Sequence, residues 1–282
     1  MHFVKMQGLG NDYIYVLSQE CEHMSEEEIA SLARRMSRRH FGIGADGLVL
    51  IAPGQDGTDF RMIMYNADGS KGKMCGNAAR CIGKYVYERG LTDKQDLTID
   101  TLAGTRGIHL DVSGRKALRV TVDMGAPSFL PEDIPMKDYG SMTGGPVDVG
   151  GRKWLLHPVS MGNPHCVMFL EEGEDVHDLA VHKYGPLFEH LPCFPDGVNA
   201  EFIQVESRDH IYMRVWERGS GETMACGTGA CAAVAASAMC DRTGREVTVT
   251  LPGGDLKVFY REDGHIMQTG DASFAFEGEW TE

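Results

Sequence analysis

Short apolar and β-branched runs, separated by Gly, Asp and Asn, dominate the first 124 residues. These runs are typical of short strands and read FVKMQ, YIYVL, GLVLIA, FRMIMYN, LTIDTLA, GIHLDV and LRVTVDM. Residues 26–39, EEEIASLARRMSRR, have helical spacing instead, with Ser25 in position to cap the helix and three glutamates in its first turn. The pattern predicts a strand-rich α+β fold.

Two more helices are predicted, each directly after a cysteine and a glycine. The residues after Cys75 have helical spacing. The stretch after Cys226, GTGACAAVAASAMCDRTG, is almost entirely small and apolar, which suits a helix packed on all sides. We therefore expect each half of the chain to form a curved, mostly antiparallel, barrel-like sheet around one central helix.

The chain also repeats itself at a nearly constant shift. YNADGSKGKMCGNAA (65–79) aligns with WERGSGETMACGTGA (216–230) without a gap, so Cys75 falls on Cys226, 151 positions later. A shift of 152 places Asn11 on Asn163 and Gly47 on Asn199. We predict two pseudo-symmetric halves, 1–128 and 154–282, joined by a linker at 129–153, with the last strand able to return to the N-terminal half.

Composition and charge narrow the class of protein. A formal net charge of −14 without a dense basic run argues against nucleic acid or an anionic membrane as partner. The sequence has neither a signal-peptide core nor an apolar run of about 18 residues, which predicts a cytoplasmic protein. The eight cysteines show no C-x-x-C spacing, so we expect reduced thiols and no metal site.

A cysteine at the start of a helix has two interpretations. The unpaired N–H groups and the peptide dipoles favour an anion there, which would lower the pKa of the thiol. Gly76 and Gly227 leave the backbone open, so that these N–H groups can also hold a substrate carboxylate. A free cysteine is otherwise often a small packing residue.

Two such cysteines at matched repeat positions favour catalysis. Inversion of a stereocentre needs a base on one face of the α-carbon and an acid on the other. Cys75 and Cys226 would supply this pair, one as thiolate and one as thiol, and would titrate as a unit.

The motifs resemble those of the diaminopimelate epimerase family over nearly the whole chain: GLGND (8–12), GIGADG (42–47), NADGS (66–70), MCGNAAR (74–80), MGNPHCV (161–167), GVNAEF (197–202) and ERGSGETMACGTGA (217–230). The resemblance implies cofactor-free, PLP-independent interconversion of LL- and meso-diaminopimelate in lysine and peptidoglycan precursor synthesis, by a homodimer. It implies Cys75 and Cys226 as the acid/base pair.

The resemblance also assigns binding residues. Those at the reacting end of the substrate would be Asn11 and Gly47, with Gly76, Asn77, Gly227 and Thr228 on its carboxylate. Those at the distant amino-acid group would be Asn66, Asn163, Asn199, Glu217 and Arg218, and His165 and Glu217 would tune the cysteines. Arg218 suits a carboxylate and Glu217 an ammonium. Two positions depart from the common family pattern: Ala78 stands where glycine is usual, and Gly47 where some members have glutamine.

Three alternatives remain open from the sequence. A racemase of another amino acid would have no use for Glu217 and Arg218, which suit a second amino-acid group. A non-catalytic amino-acid-binding protein would tolerate serine at both cysteines, and a cysteine hydrolase would not need the second thiol. The GIGADG match to a dinucleotide-binding motif is discounted, because a strand-like run follows it where a helix is required.

Overall fold

The structure is a computed structural model that describes residues 1–137 and 145–281. Part of the predicted linker, residues 138–144, lies outside the described residues. The first elements are β1 (His2–Gly8), β2 (Asn11–Leu17), α1 (Glu26–Ser37), β3 (Gly47–Pro53), β4 (Phe60–Asn66), β5 (Lys71–Gly72), α2 (Gly76–Glu88), β6 (Asp96–Asp100), β7 (Arg106–Ser113) and β8 (Lys116–Asp123). The later elements are β9 (Gly145–Val149), β10 (Arg152–Ser160), β11 (Pro164–Phe169), α3 (Val181–Glu189), β12 (Asn199–Ser207), β13 (His210–Glu217), β14 (Gly221–Glu222), α4 (Gly227–Met239), β15 (Glu246–Leu251), β16 (Gly254–Tyr260), β17 (Ile266–Gly270) and β18 (Ser273–Glu279).

The chain divides into two compact units. Unit 1 comprises Met1–Asp123 and Thr269–Glu282, and unit 2 comprises Met124–Gln268. The C-terminal strand β18 therefore belongs to unit 1, where it pairs with β1. No helix in the described ranges is long and apolar enough to span a membrane.

The strands of unit 1 pair in one continuous series, and helix α2 packs against four of them. β1 pairs antiparallel with both β2 and β18, β2 pairs parallel with β3, and β3 pairs antiparallel with β4. β4 then pairs parallel with β6, which leads antiparallel into β7 and β8. α2 packs against β1, β2, β7 and β8, and α1 packs against β3 and β4. The buried side of α2 includes Ala78, Ala79 and Ile82, whose side chains are fully enclosed.

Unit 2 repeats this order of pairings. β9, β10 and β11 pair antiparallel, β11 pairs parallel with β12, and β12 pairs antiparallel with β13. β13 pairs parallel with β15, which pairs antiparallel with β16. α4 packs against β10, β11, β12 and β16. Unit 2 also has a hydrophobic core cluster at α3. In this cluster the rings of Trp154, Phe188 and Phe202 meet edge to face.

Residue pairs on neighbouring strands of unit 1 correspond, through the repeat shift, to residue pairs on neighbouring strands of unit 2. In unit 1 Tyr13 pairs with Gly47 across β2 and β3, and in unit 2 His165 pairs with Asn199 across β11 and β12. Both members of the second pair lie 152 positions after those of the first. Helices α2 and α4 each have 13 residues and begin one residue after their cysteine.

The structure confirms the seven predicted strand runs of the first half and three predicted helices. α1 begins at Glu26, and Ser25 caps it through a reciprocal capping box with Glu28. α3 was not predicted, because Gly185 and Pro186 interrupt its helical pattern. Gly185 is required there, since a Cβ would lie 2.4 Å from the ring of Trp216.

Candidate active site

In unit 1 the thiol of Cys75 lies at the start of α2. Cys75 is the N-cap residue and has an extended backbone. Its thiol donates to the side-chain oxygen Oδ1 of Asn11 at 3.3 Å. Asn77, in the first turn, donates to the same oxygen at 3.3 Å. A carbonyl oxygen can only accept, so this contact stabilises Cys75 as a neutral thiol.

The amide of Asn11 is fixed from its other end. Its Nδ2 donates to Asp46 Oδ2 at 2.6 Å, and the backbone N–H of Asp12 donates to the same carboxylate oxygen at 3.0 Å. This anchors Asn11 with its oxygen toward Cys75. Asp46 was not predicted as a site residue from the sequence, although it lies within the GIGADG motif.

Tyr13 is a second neighbour of Cys75 that the sequence analysis missed. The side chain is 6% exposed, and its hydroxyl group interacts with Asn11 and Cys75. Burial raises the pKa of Tyr13 well above its usual value, and Asp46, as well as Cys75 when it is ionised, raises it further. Tyr13 therefore remains a neutral phenol that can hydrogen-bond to the sulfur.

In unit 2 Cys226 occupies the same place at the start of α4. Its sulfur accepts a hydrogen bond from the backbone N–H of Gly229 at 3.3 Å and lies 3.6 Å from Thr228 Oγ1. The sulfur thus takes the place of the side-chain oxygen that usually caps a helix. Cys226 is 4% exposed.

The pKa of Cys226 contradicts one expectation from the sequence. Burial raises the pKa of this thiol well above its usual value, and the carboxylates of Glu217 and Glu201 raise it further. Hydrogen bonds from Thr228 and Gly229 act in the opposite direction but do not compensate. The prediction that the helix start lowers the pKa of this thiol is therefore wrong for Cys226, because burial, together with two neighbouring carboxylates, outweighs the helix N-terminus.

Glu217 lies beside Cys226 at the end of β13. Its carboxylate accepts from the hydroxyl of Thr223 and is hydrogen-bonded to the Cys226 side chain. Burial raises the pKa of Glu217, and Glu201 adds to this effect while His165 opposes it.

Asn163, just before β11, and His165, on β11, complete a chain of hydrogen bonds. Asn163 Nδ2 donates to Thr228 Oγ1 at 3.3 Å, and Asn163 Oδ1 lies 3.0 Å from His165 Nε2. The other ring nitrogen of His165 lies 2.7 Å from Glu201 Oε1, and both side chains are fully buried. Glu201 is a further residue that the sequence analysis missed.

Each unit contains a hydrogen bond between residues that occupy matched positions of the repeat. In unit 1 Asn77 bonds to Asn11, and in unit 2 Asn163 bonds to Thr228, each at 3.3 Å. Asn11 corresponds to Asn163 in the repeat, and Asn77 corresponds to Thr228. The donor is reversed, since Asn11 presents an oxygen in unit 1 and Asn163 presents its amide nitrogen in unit 2. The surroundings of the two cysteines are therefore related but not identical.

The remaining predicted binding residues have partners within their own unit. Asn66 ends β4 and donates to Ser70 Oγ at 2.9 Å, which fits a turn residue. Asn199 donates to the backbone oxygen of Pro164 at 2.7 Å and accepts from the Arg218 N–H at 2.9 Å. The Arg218 guanidinium is exposed and donates to the Asp196 carbonyl at 3.0 Å. Their roles toward a substrate stay predictions.

Three of the predicted binding residues are glycines, which can contact a ligand only through their backbone: Gly47, Gly76 and Gly227. A Cβ on Gly47 would lie 2.2 Å from the Tyr65 carbonyl oxygen and 3.0 Å from the Tyr13 ring. Gly76 and Gly227 are the first residues of α2 and α4, so their N–H groups belong to those that a helix leaves without an internal partner.

Three of these side chains carry atoms that could bind a metal ion. One ligand atom each from His165, Glu201 and Cys226 lies within 4.8 Å of the others. However, His165 Nδ1 and Glu201 Oε1 point at each other at 2.7 Å, whereas two ligands of one ion both point at the ion. The arrangement fits a hydrogen bond between these two side chains better than a metal ion.

Comparisons with known proteins identify related sequences. A sequence model of the family described as diaminopimelate epimerase matches residues 3–130 and 158–275. A diaminopimelate epimerase of Acetivibrio thermocellus is 48% identical over 281 residues, covering 99% of this chain and 98% of that protein. A diaminopimelate epimerase of Methanococcus maripaludis is 46% identical over 283 residues, covering 99% of each chain.

Solved structures confirm the predicted fold class. A Bacillus anthracis phenazine biosynthesis protein of the PhzF family is similar with a TM-score of 0.73 at 18% identity, covering 100% of this chain and 99% of that chain. A hydroxyproline epimerase from Agrobacterium vitis is similar with a TM-score of 0.70 at 13% identity, covering 99% of this chain and 90% of that chain. At this level of identity the similarity shows the fold alone.

Proposed function

This chain belongs to the diaminopimelate epimerase family, and from this premise we propose that it interconverts LL- and meso-diaminopimelate with Cys75 and Cys226 as its two acid/base groups. The observation that carries the assignment of the cysteines is their matched placement, since each is the N-cap residue of a 13-residue helix at the same point of the repeat. A role in packing alone would not require that match.

In the proposed reaction one thiolate removes the α-proton from one face of the substrate, and the other thiol delivers a proton to the opposite face. The negative charge that develops on the substrate carboxylate would be stabilised by N–H groups at the helix starts, from Gly76, Asn77, Gly227 and Thr228. The contact from Cys75 to the Asn11 oxygen favours Cys75 as the proton donor at the start of a turnover.

Substrate binding at Glu217 would lower the pKa of Cys226 and so activate its thiol. The carboxylate raises the pKa of the neighbouring thiol. We expect the distant ammonium of diaminopimelate to bind Glu217 and to offset its charge, while Arg218 binds the distant carboxylate. The pKa of Cys226 would then fall only when the correct substrate is bound.

The wider context follows from the family. We propose that the product serves lysine and peptidoglycan precursor synthesis in the cytoplasm and that the active form is a homodimer. Light scattering of the purified protein tests the homodimer directly.

The test of the function is proton NMR of LL-diaminopimelate with the protein in D₂O. Wild-type protein should replace one α-proton by deuterium and form the meso isomer, whereas Cys75→Ala and Cys226→Ala should form none. Cys240→Ala is the matched control, because Cys240 is the C-cap residue of the helix that Cys226 begins, and it should keep full turnover. Turnover by either active-site variant would contradict the two-cysteine mechanism, and exchange of other amino acids instead would contradict the substrate.

A further inference from the structure

Two carboxyl groups of unit 1 contact the same guanidinium group, that of Arg39 in the turn after α1. Arg39 Nη2 donates to Asp12 Oδ1 at 2.6 Å and to Asp46 Oδ1 at 3.1 Å. Arg39 Nη1 also lies 3.4 Å from the second carboxylate oxygen of Asp12. A guanidinium can only donate and keeps its charge, so Arg39 bridges Asp12 and Asp46, which we call the aspartate pair.

Asp46 holds the Asn11 amide, and the direction of that amide follows from a donor at its far end. Arg80 can only donate, so it contacts the oxygen of Asn77, and the Asn77 nitrogen faces Asn11. Asn11 therefore presents its oxygen to Asn77 and its nitrogen to Asp46. The same Asn11 oxygen accepts from the thiol of Cys75. A charged carboxylate is the stronger acceptor for the Asn11 nitrogen, because a hydrogen bond to an ionised group is roughly twice as strong as a neutral one.

Asp46 is the weaker acid of the aspartate pair. Burial raises the pKa of Asp46, and the Asp12 carboxylate raises it further. Arg39 opposes both effects, together with the hydrogen bonds from the Asp12 N–H and from Asn11. Burial also raises the pKa of Asp12, but hydrogen bonds from Arg39 and Lys5 outweigh it and lower that pKa. Without Arg39, Asp46 would be the member of the pair that takes up a proton first.

Three further titratable groups face the aspartate pair. The ammonium group of Lys5, on β1, lies 2.6 Å from the Asp12 carboxylate, so its charge acts mainly there. Tyr13 interacts with Asp46 but remains a neutral phenol. Cys75 contacts the opposite end of the amide that Asp46 holds. Arg39 is the cation that contacts the Asp46 carboxylate directly.

We propose that Arg39 is a positioning residue for Cys75. By bridging the aspartate pair it keeps Asp46 as the charged acceptor that fixes the Asn11 amide, whose oxygen in turn accepts from the thiol. The inference rests on the proposed catalytic role of Cys75, but the ionisation of Asp46 can be measured without turnover.

Arg39→Met tests this role, because it removes the bridge at an exposed position. In ¹³C spectra of protein labelled at the aspartate carboxyl carbons, the Asp46 signal should titrate about one pH unit higher in this variant than in wild type. That is the lower end of the effect of an opposite charge within about 4–6 Å. Asp46→Asn assigns the signal by its disappearance. The matched control is Arg38→Met, because the Arg38 guanidinium lies over the ring of Phe41, and it should leave the Asp46 titration unchanged.

The kinetic expectation has the same sign. Removal of Arg39 raises the pKa of Asp46, so the loss of kcat/KM on the acid side should begin at a higher pH. From about pH 8 to about pH 5 the kcat/KM of Arg39→Met should fall by up to about tenfold more than that of wild type, since one pKa unit corresponds to a factor of about ten. At about pH 8 the two proteins should be similar. A purely structural defect would lower kcat/KM equally at every pH.

An Asp46 signal that titrates alike in wild type and Arg39→Met would overturn the proposal. A shifted signal with the wild-type pH profile of kcat/KM would also contradict it, because Arg39 would then not act on Cys75 through Asp46. If Arg39→Met does not fold, Arg39→Gln removes the same charge and carries the same expectations. If wild type does not epimerise diaminopimelate at any pH, the proposed function fails, while the Asp46 titration still decides whether Arg39 keeps this carboxylate charged.

Discussion

Arg80 donates to Asn77 Oδ1 at 2.6 Å, although the Arg80 side chain has no exposed surface. The contact determines the orientation of the Asn77 amide, because an oxygen held by a guanidinium leaves the nitrogen free to point at Asn11. A charged residue inside the sheet thus orients a residue of the candidate site.

We expect Arg80→Met to lower the free energy of unfolding by about 1–3 kcal/mol, because it leaves the buried Asn77 oxygen without that donor. The same variant should lower kcat/KM, since Asn77 becomes free to rotate. Urea denaturation and a kinetic assay measure the two effects. Arg119→Met, the same change at an exposed position of β8, should alter neither, and equal losses in both variants would rule out a specific role for Arg80.

Glu217→Gln should change the reactivity of Cys226 and the turnover of the enzyme in opposite directions. Removal of this carboxylate lowers the pKa of the Cys226 thiol, and each pKa unit increases the thiolate fraction about tenfold. Iodoacetamide should therefore modify Cys226 several times faster at pH 8, which mass spectrometry of the peptide measures. Epimerisation should fall, because the substrate ammonium loses its partner.

Glu246→Gln provides the control for that experiment. Glu246 is exposed at the start of β15, so its loss should leave both rates unchanged. Slower or unchanged alkylation in Glu217→Gln would show that Glu217 does not raise the pKa of Cys226.

Gly47→Ala should destabilise unit 1 through overpacking. The new Cβ would meet the Tyr65 carbonyl oxygen at 2.2 Å, and a backbone atom in a paired strand cannot move away easily. We expect a loss of about 1–3 kcal/mol in the free energy of unfolding. Gly107→Ala, also in a strand, has its closest neighbour at 3.8 Å and should be neutral or slightly stabilising, so similar losses in both would refute the steric explanation.

The sequence predicts those parts of the site that depend on local structure. A cysteine followed by glycine before a helical pattern places Cys75 and Cys226 correctly at two helix starts. The repeat shift aligns Asn11 with Asn163 and Asn77 with Thr228. Within unit 1 Asn77 is hydrogen-bonded to Asn11, and within unit 2 Asn163 is hydrogen-bonded to Thr228. The helix starts could be predicted because each depends on a few consecutive residues, and the matched positions could be predicted because the two halves repeat the same motifs.

Groups that act across strands could not be predicted in the same way. Tyr13, Asp46 and Glu201 reach their partners only after strand pairing, since Glu201 meets His165 from the neighbouring strand β12. One signal was available: Glu201 is the only acidic residue in the apolar core of NAEFIQV (199–205). The raised pKa of Cys226 also depends on tertiary structure, because burial and the carboxylates of Glu217 and Glu201 cause it. The helix start alone therefore predicts the wrong direction.

Alkaline pH should destabilise the protein through its buried thiols, and Cys81 on α2 provides a direct test. Cys81 is 1% exposed, and burial raises its pKa to about 11. In the unfolded chain a thiol ionises near pH 8.5. Between these two values the unfolded state releases a proton that the folded state retains, so stability is lost as the pH rises.

Cys81→Ala should therefore lose less stability than wild type when the pH is raised from 8 to 10.5. The difference should be about 2–3 kcal/mol, because each unit of pKa shift corresponds to about 1.4 kcal/mol. Urea denaturation at the two pH values measures it. At half-buried Cys240 the substitution to alanine should reduce the pH-dependent loss less than at Cys81. An identical pH dependence in wild type and Cys81→Ala would show that the Cys81 thiol titrates alike in the folded and unfolded states.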